Sequence, residues 1–334
     1  MRLLNTGVMH MGETMKAVEI ETDGPLYLAD LPKPEPGANE VLVKTAFSGL
    51  NRADLVQRAG AYPPPPGAST ILGLEVSGTV EAVGSDVSRW KAGDKVCGLL
   101  AGGGYAEYVA VDAGSLFPVP DSMGLDQAGC LPEAMMTVWA NVFDRVGLKA
   151  GENFLCHGGT SGIGVMAIQM AKAAGAAKIF ATAGTDQKCQ LASSLGATRA
   201  INYKTEDFVE IVKDEGGSDV TLDMVGGDYI QKNISAANPD GRIINIAYQN
   251  GFQANVNFAP VLMKRLTLAA TTLRARPLPE KQRIRDAVEA DFWPHIASGA
   301  IIPVLQKVFP AAEAEQAHQL MASGTHSGKI LLSW

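Results

Sequence analysis

Between residues 153 and 246, strand-length apolar runs alternate with helix-length stretches, and no other feature constrains the fold so tightly. The pattern predicts strands over 153–157, 178–182, 200–202, 219–223 and 242–246, with helices over 164–174, 187–195, 208–213 and 229–236. Runs of this kind need burial on both faces, so they predict a parallel sheet with helices packed on each side, an α/β unit of the doubly wound type.

The flanking sequence follows a different rhythm. From residue 16 to about 110 the apolar residues alternate in short stretches, as in Val41-Leu42-Val43-Lys44-Thr45-Ala46, and turns at Pro32–Gly37 and Trp90–Asp94 separate them. That is the pattern of an irregular β-barrel. Helical stretches begin at Asp126 and again at Pro132-Glu133, the second running through 140–143. Near the C-terminus a helix over 281–298 and a strand over 329–332 break the alternation, so the chain is expected to return to the first unit. The expected division is residues 15–135 with 270–334 as one domain and 136–269 as an inserted second. Two domains suit 334 residues. Residues 1–14 are expected to be a poorly ordered tail ahead of a natural start at Met15.

The segment His157-Gly158-Gly159-Thr160-Ser161-Gly162-Ile163-Gly164 lies between an apolar strand and an Ala-rich helix. In that setting glycines permit a tight turn and close approach of the backbone to a pyrophosphate, while the helix N-terminus offers free N–H groups and partial positive charge. A dinucleotide site is therefore expected at Thr160, Ser161, Gly162, Ile163 and Gly164. An NAD site places a carboxylate at the end of the second strand to hold the ribose 2′-hydroxyl. Here Ala183 and Gly184 stand there, followed by Thr185, with Lys188 and Tyr203 nearby, which favours NADPH. Asp186 is read as the cap of the next helix.

Composition removes other classes. A net charge of −7 and a pI near 5.3 leave no broad basic surface for nucleic acid. No run of about 18 apolar residues exists to span a membrane. Cys97, Cys130, Cys156 and Cys189 are widely spaced without a CxxC pair, as in reduced thiols of a cytoplasmic protein. The five histidines, at 10, 157, 295, 318 and 326, show no metal or triad spacing.

Taken with the segments Asn51-Arg52-Ala53-Asp54-Leu55, Tyr62 with Pro63–Pro66, Gly73-Leu74-Glu75, Gly102–Val109, Pro132-Glu133-Ala134, Asn202-Tyr203, Gly226–Tyr229, Leu273–Arg276 and Gly328-Lys329-Ile330, the turn resembles the zinc-independent quinone oxidoreductases of the medium-chain dehydrogenase/reductase superfamily. The likeness is greatest to the p53-inducible quinone oxidoreductase subgroup and covers residues 15 to 332. It implies a Rossmann-type sheet inserted into a GroES-like β-barrel domain, with the site in the cleft between. It also implies Lys188 and Tyr203 at the 2′-phosphate and Asn51, Thr137, Ala247, Tyr248, Thr272 and Leu273 near the nicotinamide. Val225, Arg274 and Lys329 complete the expected cofactor contacts, and the resemblance further implies a homodimer through an edge strand near Leu266–Thr272.

Zinc relatives of this fold carry a Cys where Asn51 stands and a His where Leu74 stands, and neither residue here supplies thiolate or imidazole. The expected chemistry is thus metal-free hydride delivery to a quinone or enone acceptor, with Tyr62 or solvent giving the proton and Asn51 binding the acceptor carbonyl or the ribose. An alkenal or enoyl C=C reductase and a non-catalytic cofactor-binding sensor are the alternatives. An additional glycine at 158 or 159, where many relatives have alanine, is expected to loosen the turn.

Overall fold

A computed structural model describes residues 13–20 and 24–334, so the tail expected over 1–14 lies almost wholly outside the described residues. Strands Asn153–Cys156, Lys178–Ala183, Arg199–Asn202, Ser218–Asp223, Ala237–Asn245 and Thr267–Ala270 form one sheet. Every pairing in it is parallel. Numbered along the chain, the strands lie in the order 3-2-1-4-5-6. The order reverses beside the first strand, and there the sheet opens a crevice at its C-terminal edge.

Phe154, Leu155, Cys156, Phe180, Ala181, Val220 and Leu222 are completely buried. Burial on both faces is why these strands read as unbroken apolar runs. One strand departs from expectation by beginning at Ala237 rather than near 242. Asn238-Pro239-Asp240-Gly241 reads as a turn, and Asp240 indeed takes φ 61°, yet the segment still pairs Ala237 with Ser218 across a bulge.

The second sheet joins both ends of the chain. Glu40–Gly49, Glu75–Val83, Lys95–Leu99, Tyr108–Asp112 and Leu116–Pro118 pair antiparallel, and Leu305–Pro310 and Lys329–Ser333 complete it. The return is made by Leu331 opposite Gly49 and Leu332 opposite Ser48. Ile330, Leu331 and Leu332 are inaccessible, so the closing strand is held by its apolar side chains as well as its ladder.

Between the sheets, the helix Pro132–Val138 widens into a π-helical turn over Trp139–Arg145, which the apolar pattern alone did not signal. A continuous core runs from Cys97 and Phe117 of the barrel through Met135 and Trp139 to Phe154 and Val165 of the parallel sheet. Leu278–Ala297 seals its outer side, stacking Trp293 on Phe117 at 4.3 Å between ring centroids. Among the described residues no helix is long and apolar enough to cross a membrane.

Candidate active site

The first strand ends at Cys156, and His157 after it is fully buried and held by Thr182 Oγ1 (3.0 Å) and Asn233 Oδ1 (2.7 Å). The chain then turns through Gly158 at φ 64°. A Cβ on Gly159 would lie 2.8 Å from the Ala181 methyl, and one on Gly164 2.2 Å from the Gly158 carbonyl oxygen. Both extra glycines are therefore used by the turn rather than loosening it. Ser161 caps helix Gly162–Ala173, its Oγ accepting from Gly164 N–H at 3.0 Å. First-turn N–H groups have no acceptor within their own helix. With Gly164 satisfied, Gly162 and Ile163 are the donors left to meet a pyrophosphate, and in these respects the turn fits a dinucleotide.

At the end of the second strand, Tyr203 lies over Gly184, where a Cβ would fall 2.7 Å from the phenolic oxygen. Any larger residue at 184 would displace the ring. Thr185, not Asp186, caps the next helix, accepting from Lys188 N–H at 3.2 Å. The Asp186 carboxylate instead accepts from Asn202 Nδ2 at 2.6 Å. The reason is one of register, since Thr185 and Asp186 are adjacent and both able to cap. Lys188 Nζ donates to the carbonyls of Gly324 and His326, both at 2.9 Å. Burial lowers its pKa, and Lys204 adds to the effect. Lys204 is thus a second cation at this end of the site, unflagged in the sequence although it adjoins Tyr203.

On the opposite side, the loops after the fourth and fifth strands are tied together: Gln249 and Asn250 donate to Met224 and Val225 carbonyls at 3.2 and 2.8 Å. This brings Val225, Ala247 and Tyr248 to one edge of the crevice, with Tyr248 packed over Gly226. Thr137 and Leu273 are buried, and Asn141 bridges the Thr137 carbonyl (2.8 Å) to Thr271 Oγ1 (2.5 Å). Thr272 is exposed.

The two sheets meet where Gly328 N–H donates to the Thr160 carbonyl at 2.7 Å. Beside this bond, a Cβ on Gly162 would come 2.6 Å from Lys329 Cδ. Lys329 touches the turn only through its stem. Its ammonium donates to Leu50 O (2.8 Å), Asn51 Oδ1 (2.8 Å) and Glu75 Oε1, which satisfies all of its N–H groups away from any cofactor. Glu75 also accepts from Asn51 Nδ2 (2.9 Å) and from Glu133 N–H (3.0 Å). Asn51 is thus locked in a buried ionic cluster. Burial opposes the ammonium, but Glu75 and Glu133 outweigh it and raise the Lys329 pKa.

Asp54 accepts from Asn51 N–H (2.8 Å) and from the Tyr105 hydroxyl (3.0 Å), which also meets His318 Nε2 at 3.2 Å. Burial pushes the Asp54 carboxyl up to about 6 and the His318 imidazole down to about 4. Asp54 and Glu75, both fully buried, are structural partners of Asn51. Leu74 is buried and apolar. No group of three or more His, Cys, Asp or Glu suited to a metal occurs among the described residues.

Tyr62 is partly buried under Arg274, whose guanidinium lies 5.3 Å from the ring centroid. Arg274 is itself buried and donates to Tyr62 O (3.2 Å), Ala101 O (2.8 Å) and Gln57 Oε1 (2.8 Å). Expected at the cofactor, it instead pins the loop that carries Tyr62. Arg276 pairs with Glu280 at 2.7 Å.

Known proteins share this arrangement. The profile of the alcohol dehydrogenase GroES-like domain matches residues 37–121, and that of the zinc-binding dehydrogenase family residues 162–290. Mouse quinone oxidoreductase is 27% identical over 329 residues, 95% of this chain and 97% of that protein. The chain spans only 15% of a phenolphthiocerol/phthiocerol polyketide synthase polypeptide of Mycobacterium tuberculosis, at 29% identity over 96% of its own length. Among solved structures, the enoyl reductase CurK superposes with TM-score 0.82 at 26% identity, covering 96% of this chain and 99% of that one. A mycobacterial protein complexed with NADPH gives TM-score 0.83 at 26% identity, covering 96% and 100%. A parallel sheet in the dinucleotide-binding order, set into a barrel built from both chain ends and matched by both family profiles, makes this chain a member of the medium-chain dehydrogenase/reductase superfamily of nicotinamide-dependent oxidoreductases.

Proposed function

We propose that this protein uses NADPH to reduce quinones or related conjugated carbonyls without a metal. The observation that carries the reading is the junction at Gly328 and Lys329. There the phosphate-binding turn abuts a buried cluster in which an ammonium, not a metal-binding side chain, partners Asn51. When bound, the cofactor supplies a hydride to an electron-poor acceptor, chemistry that needs no Lewis acid. Gly162 and Ile163 N–H hold the pyrophosphate. Tyr203 and Lys188 receive the 2′-phosphate; no carboxylate stands at Ala183 or Gly184, the Asp186 carboxylate is taken by Asn202, and Lys204 adds to the local positive charge. Tyr62, held by Arg274, stacks on the acceptor.

The test is oxidation of NADPH or NADH, followed at the nicotinamide absorbance band, with a panel of quinones, enones and enals. Turnover with NADPH at a kcat/KM at least ~10-fold above NADH is expected; no oxidation with any acceptor overturns the reading. Reduction of an alkenal or enoyl C=C bond is the second reading, supported by the likeness to the enoyl reductase CurK. Product analysis separates the two, through a saturated carbonyl in one case and a hydroquinone in the other. Lys188→Gln is expected to weaken NADPH binding about 10-fold while leaving NADH unchanged, as read by fluorescence titration.

The protein is also proposed to be a homodimer. Its edge strand Thr267–Ala270 exposes Leu268, and the neighbouring helix Ala259–Lys264 packs only the half-buried Val261 inward as a hydrophobic contact while exposing Leu262 and Met263 at 78% and 76%. Unpaired strand edges and contiguous apolar surface are the features that pairing covers. Sedimentation should show a dimer that Leu268→Lys with Met263→Glu converts to monomer.

A further inference from the structure

Glu133 opens the helix that lines the cleft, and its surroundings differ from those of the other carboxyl groups in the buried cluster. The cluster sets the Lys329 ammonium against Glu75, Glu133 and Asp54. Glu75 takes the ammonium: its Oε1 accepts from Lys329 and Asn51, and its Oε2 from Glu133 N–H, all donors that suit a carboxylate. Asp54 is enclosed beneath Asn51 and Tyr105. Glu133 alone of these carboxyl groups is partly accessible. Its side chain meets Thr137 Oγ1 at 3.2 Å, and its charge is felt by Tyr62 across the cleft. The carboxyl is thus hydrogen-bonded to a residue expected at the nicotinamide and near enough to the one expected at the acceptor to influence its titration.

One ammonium cannot offset several carboxylates in a desolvated site, so a proton is retained. Glu75 holds the ammonium and Asp54 accepts from two backbone N–H groups and the Tyr105 hydroxyl, whereas Glu133 has only the Thr137 hydroxyl, so the proton resides on Glu133. We propose that Glu133 is the acid that delivers the proton accompanying hydride transfer. This rests on the proposed reductase reading. The acceptor receives two electrons and one hydrogen as hydride, and the displaced π pair localises on its carbonyl oxygen. That oxygen forms an O–H bond as the Glu133 O–H bond breaks, and the carboxylate left behind takes its proton back from water. Tyr62 is less suited to this step, because burial raises its phenol further from neutrality, with Glu133 adding to the rise and Arg274 opposing it.

The groups facing Glu133 support its retention of a proton near neutral pH. Burial raises its carboxyl to about 7, Lys329 opposes the rise, Glu75 and Asp54 add to it, and the Thr137 hydroxyl lowers it. The acid works in its protonated form, so kcat should fall as pH rises through about 7.

Two readouts test this. In the isolated protein without cofactor, infrared difference spectra between acid and alkaline pH should show, besides an Asp54 band lost near 6, a carboxyl C=O band that disappears with a midpoint near 7 and is absent from Glu133→Gln. In turnover, Glu133→Gln should lower kcat by ~10²-fold or more, abolish the alkaline limb and leave NADPH affinity unchanged, whereas Glu133→Asp should keep a limb at a shifted pH. A Glu133→Gln enzyme that keeps the wild-type rate and limb, or a band with its midpoint near 7 that survives the substitution, overturns the assignment while leaving the reductase reading intact. If the wild type oxidises no cofactor with any acceptor, the reductase reading and this role fall together; the infrared titration then still shows whether Glu133 holds the proton. Should Glu133→Gln not fold, Glu133→Asp decides: an unmoved limb refutes the proposal.

Discussion

Replacing Lys329 with methionine is expected to destabilise the protein by about 3–5 kcal/mol, the usual cost of stripping one partner from a buried ion pair. The size follows from what stays behind. Glu75 is fully buried and takes its only charged donor from Lys329. Without it, the carboxylate must remain uncompensated or take up a proton, and the Leu50 carbonyl and Asn51 Oδ1 lose a donor as well. Urea unfolding measures the effect. The double variant Lys329→Met/Glu75→Gln should recover much of the loss, because an uncharged pair carries no desolvation penalty. If Lys329→Met alone cost less than ~1 kcal/mol, the cluster would not be the buried, fully paired unit described.

The second large effect is expected from Gly164→Ala. The added methyl would sit 2.2 Å from the Gly158 carbonyl oxygen and 2.8 Å from the Gly159 backbone. Neither neighbour is the end of a flexible side chain, so the turn itself must shift. Overpacking of this kind costs about 1–3 kcal/mol in stability. The functional loss should be larger in proportion, since the shift moves the Gly162 and Ile163 N–H groups away from the pyrophosphate. NADPH affinity is expected to fall by ~10²-fold, about 2.7 kcal/mol, in a fluorescence titration. Affinity within a factor of ~3 of wild type would mean the turn does not cradle the cofactor.

How much of this was legible in the amino-acid sequence depends on the range over which each feature is encoded. The parallel sheet was legible because burial on both faces writes itself into consecutive residues, as in Phe154-Leu155-Cys156. The glycine turn between the first strand and its helix was legible because its glycines are local. Helix Tyr229–Ala236 begins and ends where the apolar pattern predicts. Boundaries set by competing local signals were harder to read. Asp186 and Thr185 can each cap, and the backbone chose Thr185; Pro239-Asp240-Gly241 reads as a turn but lies within a strand.

The ionic cluster was least legible. Lys329 and Glu75 are 254 residues apart, and only the pairing of the closing strand with Glu40–Gly49 brings the ammonium to Asn51. Glu133 stood in view within Pro132-Glu133-Ala134, but no local pattern separates a carboxyl that retains its proton from an ordinary first-turn glutamate. Arg274 misled in a similar way. An arginine near a cofactor loop reads as a cofactor contact, whereas three of its N–H groups go to Ala101, Tyr62 and Gln57.

The most direct measurement is the rate of NADPH oxidation by protein dialysed against a chelator, with its zinc content determined, on addition of a benzoquinone or an enone. Undiminished turnover at negligible zinc is the predicted result. A rate that appears only when zinc is restored, or no oxidation with any acceptor, would contradict the account.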